Sequence, residues 1–247
     1  MPISHCRSGR STGGLPGARA ALRSGYPCKV PTIERRLLDS VIYLYKDAVA
    51  AHQGGSQGGS GFLVGVHCSQ EYSVAVLAVT NYHVSKTCPV IRTSGPAIDR
   101  VINKVSAQWV RHPDGDDLAV TAVGLTSDTN SDNHLDYIPI EASVTPEDFV
   151  QAGTEEGGAQ PQVWPFGPGE EVVMIGRFLG HDGDTDNRPA VRFGNIAIEP
   201  PVPFKHPFGF DQESYIIECR SASGYSGSPI FVFDEWRLGA VERCRSA

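Results

Sequence analysis

Short apolar segments separated by turn-forming residues are the feature that most limits the fold of this 247-residue chain. Most of these segments run for about four to eight residues and are rich in Val, Ile and Phe, which is typical of strands rather than helices. The 27 Gly and 18 Pro supply many tight turns between them. We therefore predict an all-β protein, with strands at residues 40–45 and in the segments GFLVGVH, YSVAVLAVT, AQWVRH, DLAVTAV, EVVMIGRF, AVRFGNIA, SYIIECRS and SPIFVF.

Only two segments carry the signals of a helix start. In VTPEDFVQAG, Thr145 can cap the helix, Pro146 suits its first turn, and Glu147 and Asp148 favour its positive end. The segment PTIERRLLDS has weaker signals. Two short helices among so many strands leave a barrel or sandwich as the predicted architecture.

Charge divides the chain into a basic N-terminal tail and an acidic body. Residues 1–36 hold seven Lys or Arg and one Glu, a net charge of +6, and are rich in Gly and Ser, so we predict a disordered tail. The remaining residues hold 14 basic and 27 acidic side chains, a net charge of −13. Because nucleic acids and anionic membranes bind clustered cations, we predict neither as a partner. A nucleic-acid binder that uses the basic tail fits the acidic body poorly.

Several other classes of protein are disfavoured by the sequence. There is no apolar run of the roughly 20 residues that a membrane span needs, and no signal-peptide core follows the basic residues. We therefore predict a cytoplasmic location. Because thiols stay reduced there, we also predict that the six cysteines are free. The acidic run HDGDTDN lacks the Gly and Glu of an EF-hand loop, which are replaced by Asn187 and Phe193. We predict no metal and no cofactor.

Three residues could together form a nucleophilic site. His83 follows a predicted buried strand, and histidine is the usual general base near neutral pH. Asp117 abuts the apolar LAV segment, and a buried carboxylate needs a donor such as an imidazole N–H. In GYSGSP, glycines flank Ser226 and allow a turn that points N–H groups at one spot, whereas Ser228 precedes Pro229, which has no N–H. Each residue alone also fits a purely structural role.

The segments TNYH, DLAV and GYSGSP occur in that order and resemble the motifs of trypsin-like serine proteases, bacterial members in particular. GSGFLV and RPAVRFGNIA extend the resemblance over about residues 37–240. The resemblance implies a peptidase domain at residues 37–247 made of two antiparallel β-barrels, at about 37–140 and 160–247. It also implies a polypeptide substrate bound in the cleft between the barrels.

The same resemblance implies a role for each candidate residue. Ser226 would attack the scissile carbonyl, His83 would transfer the proton, and Asp117 would orient His83. The N–H groups of Gly224 and Ser226 would form the oxyanion hole. Arg220, six residues before Ser226, would lie at the floor of the substrate pocket and favour an acidic substrate side chain. The predicted function is therefore a serine endopeptidase that works through an acyl-enzyme intermediate.

Two features depart from the animal digestive members of that family. Tyr225 precedes the serine where those enzymes have Asp, so activation by a new N-terminus that pairs with this Asp is not expected. Only 21 residues follow Ser226, from position 227 to 247, so we expect the second barrel to be incomplete at its C-terminal end. A catalytically impaired pseudoprotease that binds peptides is the alternative function.

Overall fold

The computed structural model of the protein describes residues 33–55, 57–68, 73–94, 100–127, 135–144, 166–181, 183, 186–198, 204–205, 211–212, 214–220 and 222–232. Most of the predicted basic tail and the predicted VTPEDFVQAG helix lie outside these residues. Within the described ranges, no helix has the length and apolar character needed to cross a membrane.

Strands dominate the described residues, which confirms the predicted all-β class. They are β1 Val41–Tyr45, β2 Gly59–His67, β3 Ser73–Thr80, β4 Val90–Arg92, β5 Val101–Ile102, β6 Val110–Arg111, β7 Ala119–Ser127, β8 Ile138–Pro139, β9 Glu171–Gly176, β10 Ala190–Ile198, β11 Phe204–Lys205, β12 Asp211–Gln212, β13 Ile216–Cys219 and β14 Ile230–Val232. Every predicted strand overlaps one of these.

The strands form two main sheets. Strands β1 to β8 make one sheet in the order β5-β4-β1-β2-β3-β7-β6, with β8 added parallel to β2. Strands β13-β10-β9-β14 make a second sheet, and β11 pairs with β12. All pairings except β2 with β8 are antiparallel. The strands within residues 41–139 thus share no sheet with the strands within residues 171–232. This separation is expected for a double-barrel peptidase fold.

Strand β1 is buried along its whole length because both of its faces are covered. Successive side chains of a strand point to opposite faces. Ile42 and Leu44 join the core of the first sheet, whereas Val41, Tyr43 and Tyr45 join a second core. That second core also contains Val173 and Ile175 of β9. The two sheets therefore pack against each other through β1 and β9.

The described residues contain three short α-helices: α1 Arg35–Asp39, α2 Ala48–Gln53 and α3 Tyr82–Thr87. Helix α1 confirms the weaker of the two helix predictions and includes two arginines of the predicted tail. Within it, the hydrogen bond and charge of Asp39 raise the pKa of the Arg35 guanidinium. Helices α2 and α3 were not predicted, since each has only six residues and too little periodicity to detect.

The predicted strand AQWVRH is mostly not a strand. Only Val110–Arg111 pair with β7, and Ser106–Gln108 form a 3₁₀ turn instead. The Gln108 side chain accepts a hydrogen bond from the Val105 N–H at 2.9 Å, which closes this turn. A local side-chain contact therefore replaces strand pairing over the first half of the segment.

Candidate active site

His83 and Asp117 meet where two neighbouring strands begin and end. Strand β3 ends at Thr80, and β7 begins at its register partner Ala119. His83 lies in α3 directly after β3, and Asp117 lies just before β7. Asn81 donates its side-chain N–H to the Asp117 carbonyl at 2.8 Å, which ties the two connections together.

The Asp117 carboxylate binds His83 through both of its oxygens. Oδ2 lies 2.6 Å from Nδ1 of the His83 ring, and Oδ1 accepts the backbone N–H of His83 at 2.9 Å. A carboxylate only accepts hydrogen bonds when ionised, so this contact places the ring proton on Nδ1. In the neutral imidazole, the other ring nitrogen, Nε2, is then unprotonated and able to take a proton from a nucleophile.

Ser226 occupies the exposed corner of a tight turn. The Ser228 N–H donates to the Tyr225 carbonyl at 2.9 Å, which closes a four-residue turn around Ser226 and Gly227. Gly227 has a φ of 86°, the left-handed value that the third residue of a type II turn requires. Tyr225 is buried and Ser226 is exposed, so the turn presents Ser226 to solvent.

His83 and Ser226 line the same cleft, which has a volume of about 490 Å³. Among the described residues, no hydrogen bond joins the two side chains, and the His83 ring is engaged with Asp117. Catalytic hydrogen bonds are often long in the absence of substrate and tighten when it binds. Sequence reasoning missed Lys46 and Gly58, which also line the cleft, because no local pattern links them to the histidine or the serine.

The two predicted oxyanion donors lie in the same turn region. Gly224 has a φ of 100°, and a Cβ there would lie 2.6 Å from the Arg177 carbonyl oxygen, so this backbone position suits glycine alone. Neither the Gly224 N–H nor the Ser226 N–H donates to another described residue. Both groups are thus available to an anion, as far as the described part of the chain extends.

Arg220 lies directly after β13 and is exposed. It is absent from the described residues that line the cleft of His83 and Ser226. Its place at the floor of a substrate pocket stays a prediction.

Comparisons with known proteins gave only distant similarities at the level of solved structures. No protein with a curated function matched the sequence significantly. Three solved structures are similar at low identity. The MamO protease domain from Magnetospirillum magneticum is 15% identical over 80% of each chain, with a TM-score of 0.43. Deg5 is 18% identical over 79% of this chain and 75% of its own, with a TM-score of 0.40. The HtrA-type protease AlgW, with a tripeptide, is 15% identical over 80% of this chain and 48% of its own, with a TM-score of 0.41.

A sequence model described as "Trypsin-like peptidase domain" matches residues 59–241. This match covers most of the 247 residues and includes all three candidate site residues. The chain belongs to the trypsin-like peptidase family.

Proposed function

We propose that the protein is a serine endopeptidase that hydrolyses polypeptides, with Ser226 as nucleophile, His83 as proton carrier and Asp117 as the residue that orients His83. The observation that carries this proposal is the pair of hydrogen bonds that Asp117 accepts from His83, at the wall of a cleft that Ser226 also lines. When His83 is neutral, this arrangement provides an unprotonated imidazole nitrogen and a hydroxyl in one solvent-accessible space.

The reaction would proceed in two halves. Ser226 Oγ attacks the scissile carbonyl carbon while His83 Nε2 takes the hydroxyl proton. The oxyanion of the tetrahedral intermediate accepts hydrogen bonds from the N–H groups of Gly224 and Ser226. The C–N bond then breaks, and the leaving amine takes the proton from His83. Water attacks the acyl-enzyme with His83 again as base, which releases the acid and restores Ser226.

Turnover tests this proposal. Fluorescein-labelled casein, an unfolded polypeptide, is incubated with the full chain and with the variants Ser226→Ala and Ser228→Ala. We expect cleavage by the wild-type chain and a loss of at least about 10³-fold in Ser226→Ala. Ser228→Ala is the matched control, because the Ser228 hydroxyl is buried without a hydrogen-bond partner among the described residues and should be dispensable.

Equal cleavage by the wild-type chain and Ser226→Ala would reject Ser226 as nucleophile. Casein binding without any cleavage by the wild-type chain would favour the alternative of a peptide-binding pseudoprotease.

A further inference from the structure

Ser60, the second residue of β2, joins the turn that holds Ser226 to the rest of the molecule. Its side chain and backbone are fully buried. The Ser60 N–H donates to the Ser226 carbonyl at 2.9 Å, and the Ser60 hydroxyl donates to the Gly224 carbonyl at 2.7 Å. One residue of the first sheet therefore holds two carbonyl groups of the nucleophile turn, about 165 positions further along the chain.

The same residue is fixed from two other directions. The Arg177 N–H, just after β9, donates to Ser60 Oγ at 2.8 Å, and the Thr80 hydroxyl donates to the Ser60 carbonyl at 2.6 Å. Regular pairing of β2 with β3 begins only at Phe62, so Ser60 lies beyond that ladder. Because a carbonyl can only accept and an amide N–H can only donate, the direction of the Ser60 hydroxyl proton is unambiguous: it points to Gly224.

These contacts constrain the peptide groups around Ser226. Each peptide unit is planar and rigid, so holding its carbonyl restricts the orientation of the whole unit. Ser60 anchors the unit that follows Gly224 and the unit that follows Ser226. The unit between them carries the Ser226 N–H, one of the proposed oxyanion donors, and it lies between two anchored units.

The packing around the turn is tight enough for these bonds to set its position. A Cβ at Gly227 would lie 2.3 Å from both the Ser60 carbonyl oxygen and the Thr80 hydroxyl. A Cβ at Gly59 would lie 3.0 Å from the Ser226 carbonyl oxygen. The turn therefore contacts β2 and the end of β3 directly, with no space for an intervening side chain.

We propose that Ser60 is a positioning residue for catalysis: its hydroxyl and N–H hold the Ser226 turn so that the oxyanion donors point at the developing charge. This inference rests on the proposed peptidase function. The hydroxyl contributes through the turn and makes no contact with substrate. Its loss should weaken transition-state stabilisation more than substrate binding, because ground-state contacts use other parts of the cleft.

The test compares Ser60→Ala with Ser94→Ala in the full chain. Ser94 is a matched control because its buried hydroxyl also makes two bonds, donating to the Val41 carbonyl and accepting from the Asn187 side chain. Both variants leave one donor and one acceptor unpaired, so both should lower Tm. With a fluorogenic peptide copied from a casein cleavage site, we expect kcat to fall about 10- to 100-fold in Ser60→Ala with KM nearly unchanged, and less than about twofold in Ser94→Ala.

A second readout separates positioning from a general loss of structure. A peptide aldehyde of the same sequence forms a hemiacetal with Ser226 and uses the oxyanion donors, whereas the matching peptide alcohol does not. We expect Ser60→Ala to weaken aldehyde inhibition at least about tenfold and to leave alcohol inhibition unchanged. An equal loss for both inhibitors, or a kcat equal to that of Ser94→Ala, would overturn the inference while the proposed function stands. A wild-type chain that neither cleaves casein nor binds the aldehyde would reject both.

Discussion

The Asp117 carboxylate accepts two hydrogen bonds from His83. At the scale of single residues, this double contact predicts a large effect of substituting Asp117. In Asp117→Asn, the side-chain amide can present an N–H to the His83 ring and so favour the tautomer with the proton on Nε2. That tautomer cannot accept the Ser226 proton, and we expect kcat to fall about 10⁴-fold with little change in Tm. The measurement is peptide hydrolysis under saturating substrate.

Asp116→Asn is the control for this substitution. Asp116 is the adjacent acid, and its Oδ2 lies 3.5 Å from Nδ1 of a different histidine, His112. The activity of Asp116→Asn should therefore stay within about twofold of wild type. If Asp117→Asn keeps a tenth or more of the wild-type kcat, then Asp117 does not orient the base.

Much of the residue-level pattern was available from the sequence. The order of His83, Asp117 and Ser226 and the Pro after Ser228 pointed to these residues, and the structure places the first two in contact and the first and third in one cleft. The anchor at Ser60 was not predicted as a site residue. Three of its four partners lie 117 to 166 positions away, and only the folded chain shows that a buried serine hydroxyl faces the Gly224 carbonyl.

At the scale of single elements, helix α2 depends on its N-terminal cap. The Asp47 side chain accepts the Ala50 N–H at 2.8 Å, and Gly54, with a φ of 77°, ends the helix. Asp47→Ala removes the only side-chain acceptor that the described residues offer at this end. We expect a loss of about 1 kcal/mol in the free energy of unfolding, or about 2–4 °C in Tm, by thermal unfolding.

Asp47→Asn provides the matched comparison, because an Asn carbonyl oxygen can accept the same N–H. This variant should unfold within about 1 °C of wild type. A loss as large as that of Asp47→Ala would assign the effect to charge rather than capping.

Strands were easier to predict than helices, for a physical reason. A strand such as β3 or β9 is defined by a run of β-branched and apolar residues, which the sequence shows directly. The helices of six residues are defined instead by their ends: Asp47 and Gly54 for α2, and the connection after β3 for α3. Capping contacts between single residues are weak sequence signals, and the one predicted cap, at Thr145, lies outside the described residues.

At the scale of the whole molecule, the core shared by β1 and β9 should make the two sheets unfold together. Ile175 of β9 is fully buried in that core, against residues of β1. Ile175→Ala should lower the free energy of unfolding by about 2–5 kcal/mol and shift one common transition. Calorimetry checks this through the ratio of calorimetric to van't Hoff enthalpy, which should stay near one.

Ile198→Ala in β10 is the control, since the Ile198 side chain is exposed and its truncation should have little effect. Two resolved transitions, with only one moved by Ile175→Ala, would show that the sheets unfold independently.

The arrangement of the two sheets also marks the limit of sequence reasoning. The alternation along VIYLY indicated a strand but not that both of its faces would be covered, because burial of the second face depends on β9, about 130 positions later. The cleft, likewise, combines Lys46 and His83 from the first sheet region with Ser226 from the second.

The central claim is that His83 activates Ser226 as a nucleophile, and covalent labelling with a fluorophosphonate tests it most directly. The full chain is treated with the probe and the modified peptide is located by mass spectrometry. We predict a single adduct on Ser226 in the wild-type chain, none in Ser226→Ala, and labelling at least about 10³-fold slower in His83→Ala. An adduct on Ser228, or equal labelling of wild type and His83→Ala, would contradict the claim.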